Sequence, residues 1–165
     1  MERISPYTFD ENLFTLIDRE WMLVTARDVR SGAINTMTAS WGGCGILWNK
    51  PVAFVFIRPG RYTREFADAA EGLTLSFFEE RYRDALRLCG RVSGRDCDKI
   101  AQAGLTPVQM GERAAFAEAR MVFSCRKLYV GALEEGGFVD PALLDHYKNK
   151  DYHLVYICEI EEILK

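Results

Sequence analysis

Strand-forming runs open and close this 165-residue chain, and most of the helical patterns are gathered between them. Trp21 to Ala26 is rich in β-formers, and Ala33 to Trp41 is a second such run, with Gly32 before it and Gly42-Gly43 after it as breakers. Pro51 opens Val52 to Ile57, a continuous apolar run that reads as a buried strand. Leu73 to Phe78, Ala119 to Val130 and His153 to Ile163 complete the strand patterns. A short helix is expected from Thr8, because Thr8 and Glu11 have capping-box spacing. Further helices are expected around Tyr62 and Phe66, and over Tyr82, Ala85, Leu86 and Cys89, which recur at helical spacing. Another is expected from Asp96 as N-cap to Gly104 as stop. Glu134 to Asn149, with Gly136-Gly137 and Pro141, reads as a loop or short helical excursion.

This order does not fit a repeating βαβ chain. Gly43-Cys44-Gly45 lacks the third glycine of a dinucleotide fingerprint, and there is no Gly-x-x-x-x-Gly-Lys-Ser/Thr phosphate loop. A mainly β fold is expected instead, an antiparallel barrel with short helices, because closure removes the exposed edges that so many strands leave. The length suits a single domain over residues 1 to 165, and 48% hydrophobic residues supply its core.

The net charge of −3 argues against a nucleic-acid or anionic-membrane partner. Basic residues between Arg58 and Lys99 are interleaved with acidic ones, as on a mixed solvated surface. No apolar run is long enough to span a bilayer, and the first residues lack the apolar segment of a secretory signal. The five cysteines are odd in number and widely spaced, with no Cys-x-x-Cys pair. They are expected to be reduced thiols of a cytoplasmic protein, mostly in the core and binding no metal.

Two segments stand apart chemically. Asn35-Thr-Met-Thr-Ala-Ser-Trp-Gly-Gly places an amide, hydroxyls and a large ring at a strand end, although a polar strand entering a Gly-Gly turn has the same composition. Arg58-Pro-Gly-Arg-Tyr-Thr ends a buried strand in a glycine-containing loop, with Thr63 where a helix begins. Free amides and the positive end of the helix dipole favour an anion there, and Arg61 adds charge. The commoner arrangement is structural, with Thr63 capping its helix and the arginines solvated.

Taken together, the two segments, Lys50-Pro-Val-Ala-Phe-Val-Phe-Ile, Leu75-Ser-Phe-Phe, Ser93-Gly-Arg-Asp-x-Asp-Lys, Gly104-Leu-Thr-Pro, Cys125-Arg-Lys-Leu-Tyr and the closing Asn149-Lys-Asp-Tyr-His resemble the flavin reductase-like family, in its flavoredoxin-type branch. The blocks run in family order from about Trp21 onward. The resemblance implies an FMN-binding split β-barrel of antiparallel Greek-key type, working as a homodimer. It places Asn35, Thr36, Met37, Thr38, Ala39 and Ser40 along the isoalloxazine and ribityl chain. It gives Arg61, Tyr62 and Thr63 to the phosphate with Arg58 nearby, and makes Lys99 a second cationic contact. Asp151 and His153 match the family's late Asp-x-His element, which makes His153 the catalytic candidate; a hydrogen-bonded strand histidine is the alternative.

An isoalloxazine needs a cleft with a few placed donors, and the cofactor carries the electron chemistry itself, so no triad or carboxylate pair is required. The expected activity is NAD(P)H-dependent flavin reduction through non-covalent FMN. An electron-transfer protein resembling flavoredoxin, reduced by a protein partner, is the second reading. A flavin-free binding module on the same barrel is the third.

Overall fold

A computed structural model describes residues 1–165. In chain order the elements are β1 (Arg3–Ile4), α1 (Leu13–Thr15), β2 (Met22–Arg27), β3 (Ile34–Ala39), β4 (Gly42–Leu47), β5 (Lys50–Ile57), α2 (Thr63–Ala69) and β6 (Gly72–Phe77). Then come α3 (Arg83–Arg91), α4 (Lys99–Gln102), β7 (Pro107–Met110), β8 (Arg113–Phe116), β9 (Met121–Ala132) and β10 (Leu154–Leu164). The main sheet runs β3-β2-β6-β9-β10-β5-β4, with β1 added to β10, and every pairing in it is antiparallel. The two end strands, β3 and β4, are consecutive in the chain and joined only by Ser40 and Trp41. The sheet therefore curls until its ends are bridged by a link two residues long, and the barrel stays split there.

Side-chain alternation explains the curl. Met22, Val24 and Ala26 of β2 point into the main core with Leu73, Leu75 and Phe77 of β6 and Val55 and Ile57 of β5. Leu23 and Val122 point the other way, into a second core with Leu86 and Cys89 of α3, Leu105, Ala115 and Phe116. A strand buried on both faces reads as a nearly continuous apolar run, as β2 does, whereas β5 buries Ala53, Val55 and Ile57 and leaves Phe54 and Phe56 half-buried on its other face. Gly72 marks the closest approach between β6 and its neighbours: a Cβ there would lie 2.2 Å from the Cys125 carbonyl oxygen and 2.4 Å from Arg113 Nε.

Several boundaries differ from the sequence reading, each for a local reason. The first helix starts at Asn12, whose Oδ1 accepts from the Phe14 and Thr15 amides; Thr8 donates to Ser5 and ends a short 3-10 turn. Glu11 is drawn instead to Arg120, which donates to both of its oxygens at 3.0 and 2.8 Å. Asp98, not Asp96, caps α4 by accepting from Ala101. The Gly42-Gly43 pair does not break the chain: Gly42–Leu47 forms strand β4, in register with β5 through Gly43↔Phe54 and Ile46↔Pro51. A further hairpin, β7–β8, pairs Pro107 with Phe116 and Met110 with Arg113 where the sequence shows no strand pattern. The 134–149 segment is the expected excursion, with a 3-10 stretch at Pro141–Tyr147 begun by Asp140, which accepts from Ala142.

All five cysteines are free thiols, and Cys89, Cys125 and Cys158 are buried. Burial pushes the Cys44 thiol up to about 12, so it is held in the unreactive protonated form.

Candidate functional site

Three strand ends meet at the split. Residues Met37 to Trp41 leave β3, Phe56 and Arg58 close β5, and His153 stands just before β10. The antiparallel register sets the last two side by side, because Leu154 pairs with Ile57 and the residues beyond that pair are Arg58 and His153. With Arg61 from the following loop they line a cleft of about 200 Å³.

His153 is only 7% exposed. Its Nδ1 lies 2.8 Å from the Tyr147 hydroxyl. Trp41 and Tyr147 pack on its ring at centroid distances of 5.4 and 5.5 Å, with Phe56 at 6.2 Å. Burial, together with the guanidiniums of Arg58 and Arg61, pushes its pKa down to about 4, against a smaller opposing pull from Asp151. The imidazole is therefore neutral at neutral pH. Its Nε2 has no hydrogen-bond partner in the protein and is left to the cleft.

Arg58 fastens the neighbouring loop. Its Nη1 pairs with Asp151 Oδ2 at 2.6 Å, its Nη2 donates to the His146 carbonyl at 2.9 Å, and its guanidinium lies over the Tyr147 ring at 5.1 Å. The hydrogen bond from Arg58 holds the Asp151 carboxyl below the usual carboxylate range. Phe138, Tyr147 and Tyr152 cluster behind this clamp, and Trp41 packs edge-on against His146 at 5.4 Å.

Arg61 has different company. Its Nη1 donates to the Gly90 carbonyl at 2.7 Å, and no carboxylate pairs with it. The amides of Tyr62 and Thr63, at the start of α2, have no backbone acceptor. The cleft lining thus combines the Arg58 and Arg61 guanidiniums with the aromatic rings of Trp41 and Phe56, and the two free amides follow Arg61 in the chain.

The predicted binding residues divide accordingly. Met37, Thr38, Ala39, Ser40, Arg58, Arg61 and His153 are brought together around the cleft. Thr38 also donates to the Leu86 carbonyl of α3, against which it packs. Asn35, Thr36 and Thr63 turn inward. Thr36 shares a 2.9 Å hydrogen bond with Thr25, and Asn35 donates to Thr63, with all of these residues buried. Thr63 does not cap α2: it is the first helical residue, and Tyr62 before it makes no side-chain cap. Tyr62 packs between Phe66 at 5.0 Å and the Arg95 guanidinium at 4.4 Å, beside the cleft rather than in it.

Lys99 is buried, and its ammonium donates to the Cys89 and Val92 carbonyls at 3.2 Å each, closing the end of α3. It lines a separate cavity with Asp96 and Asp98. Phe56, in the cleft lining, and Tyr147, behind His153, join the site without a signal in the sequence. Phe56 was hidden inside an apolar run, and Tyr147 inside a segment with no strand or helix period.

An antiparallel split barrel with a cationic, aromatic-walled cleft where its end strands meet defines a small cofactor-binding barrel. Residues 15–163 match the family model described as the flavin reductase like domain, and the chain belongs to that family. The fold is similar to that of flavoredoxin from Desulfovibrio vulgaris (Miyazaki F), with a TM-score of 0.68 and 23% identity over 87% of this chain and 68% of that one. An FMN-binding domain of a flavin reductases-like enzyme from Shewanella baltica OS155 is also similar, with a TM-score of 0.71, 17% identity and 98% and 75% of the two chains covered. Flavoredoxin from Methanosarcina acetivorans gives a TM-score of 0.69 at 19% identity over 100% of this chain and 76% of that one. No curated protein sequence matches the chain. No helix is long and apolar enough to cross a membrane.

Proposed function

We propose that the chain is one FMN-binding domain that holds the cofactor non-covalently in the split and uses it as an NAD(P)H-dependent flavin reductase in the cytoplasm. The observation that carries this reading is Arg61, a guanidinium at the cleft with no carboxylate partner, beside two amides without backbone acceptors. Such a set suits a phosphate. The aromatic walls of Trp41 and Phe56 suit a flat ring, and His153 is the candidate for contact with its reacting part. Bound FMN supplies the electron chemistry; the protein orients it and keeps part of it from water.

A homodimer completes the proposal. On the outside of the barrel, Tyr129, Ile157 and Phe54 stand in one row across β9, β10 and β5, and Tyr129 is 51% exposed. Trp48, 55% exposed, projects from the β4–β5 turn. An apolar row of this kind, with an exposed tryptophan in the turn leading into β5, suits burial by another subunit.

Titration with FMN and riboflavin, followed by NADH and NADPH oxidation with added FMN, tests the reading. Preference for FMN and turnover with either nicotinamide support it. FMN binding without nicotinamide turnover transfers the assignment to electron carriage for a protein partner. Absence of flavin binding rejects both.

A further inference from the structure

Tyr147 belongs to none of the family blocks, yet it holds the only hydrogen bond that the His153 side chain makes within the protein. Tyr147 is itself buried, at 7% exposure, and its ring stands at 85° to the imidazole. Arg58 lies over its ring and is anchored in turn by Asp151 and the His146 carbonyl.

We infer that Tyr147 is a positioning residue that fixes His153 as the Nε2–H tautomer, so that the cleft presents a hydrogen-bond donor rather than a base. A neutral imidazole carries one ring proton, and the nitrogen bonded to the hydroxyl decides where it sits. The Tyr147 hydroxyl has one proton and no acceptor in the protein other than His153 Nδ1. Were Nδ1 to carry the proton and donate to the phenol oxygen, the phenol proton would be left without a partner. Donation from the hydroxyl to Nδ1 satisfies both groups and places the ring proton on Nε2, toward the cleft. Burial raises the Tyr147 pKa and keeps the hydroxyl protonated for this role.

The consequence is a specificity rule. Arg58, Arg61 and the His153 Nε2–H add donors to the cleft lining, and none of the three offers the ligand an acceptor. The atom of the ligand facing His153 is then an acceptor, a carbonyl oxygen or an unprotonated ring nitrogen. The pyrimidine edge of an isoalloxazine offers both. This step rests on the flavin reading, but the tautomer itself does not, because it is a property of the protein without ligand.

The test uses ¹⁵N-labelled apo-protein near pH 7 and long-range imidazole correlation spectra. The chain has two histidines, so His146→Gln assigns the His153 signals by subtraction. The expected spectrum shows a pyridine-like Nδ1 and a pyrrole-like Nε2. Tyr147→Phe is expected to move both nitrogens toward the averaged values of mixed tautomers, with the fold kept, as judged by far-UV circular dichroism. The same variant should weaken FMN and riboflavin by a similar factor, roughly 2- to 10-fold for one neutral hydrogen bond. His153→Gln, which keeps an N–H donor, should retain more affinity than His153→Leu.

A pyrrole-like Nδ1 in the wild type overturns the inference. So does a Tyr147→Phe spectrum indistinguishable from wild type. If the tautomer is as expected but neither flavin binds, the flavin reading fails and the positioning role stands alone. If both flavins bind and Tyr147→Phe leaves their affinities unchanged, the donor role toward the ligand is rejected.

Discussion

The side-chain amide of Asn35 donates to the Thr63 hydroxyl across 3.0 Å, with both residues buried, and so ties β3 to the first turn of α2. The bond stands behind the phosphate-binding candidates rather than among them. Thr63→Val keeps the shape and leaves a buried amide donor unpaired, which costs about 1–3 kcal/mol. Urea unfolding should show that loss, while the ratio of FMN to riboflavin affinity stays at the wild-type value. A fall in that ratio would return Thr63 to the phosphate.

Arg61→Ala should separate the two flavins. A charge-assisted hydrogen bond to phosphate contributes on the order of 1.5–3 kcal/mol, so FMN binding should weaken by roughly one to two orders of magnitude. Riboflavin, with no phosphate, should change little. The Gly90 carbonyl that Arg61 also satisfies is only part-buried, so the stability loss should be about 1 kcal/mol. Equal losses for both ligands would show that Arg61 supports the ring or the fold.

Arg58→Ala should act on the neighbouring loop. Asp151 and the His146 carbonyl lose their common partner, and the segment from Phe138 to Tyr152 should be cut faster by a nonspecific protease. The side chains of Arg58 and Asp151 are 30% and 34% exposed, so global stability should fall by only roughly 1 kcal/mol. Unchanged cleavage rates would mean that the aromatic cluster holds the segment without the clamp.

His153 gives a pH signature. Its folded pKa of about 4 lies below the unfolded value of 6.5, so as pH falls the unfolded chain takes up the proton first. The contribution of the neutral site is whole above about pH 6.5 and is lost as pH falls toward 4. Between pH 7.5 and pH 5 the wild type should lose about 2 kcal/mol through this group. His153→Gln lacks that loss, so the gap between variant and wild type should shift by that amount in urea unfolding at the two pH values. An identical pH dependence of the two proteins would show that His153 is not held neutral.

Gly72→Ala tests the barrel itself. The added Cβ would meet the Cys125 carbonyl oxygen at 2.2 Å, and backbone cannot swing away as a side chain can. Destabilisation of about 1–3 kcal/mol is expected from overpacking, with more if the β6–β9 register is disturbed. Gly43→Ala is the control, because a Cβ there meets nothing within 4 Å. Equal stability of the two variants would mean that β6 shifts freely.

Local pattern made the strands of the main core legible, because alternating or continuous apolar residues report which faces are buried without reference to any distant partner. It also made legible the periodic face of α3, and the blocks around Thr38 and Arg61 carried the family. Strand β4 was not legible, since Gly42, Gly43 and Gly45 have no side chains from which to read a period. Lys99 and Thr63 had the right chemistry for an anion, but only the packed chain shows the Cys89 and Val92 carbonyls holding one and the Asn35 amide donating to the other. Tyr147 and His153 are six residues apart in a segment without regular period, and their contact depends on how the loop folds back over β5. The sequence by itself determined a mainly β member of the flavin reductase-like family with its cationic loop after β5. Tertiary structure alone decided which candidates face the cleft, because that depends on strand register: Leu154 set opposite Ile57 brings His153 beside Arg58, and a slip of one residue would turn it to the other face.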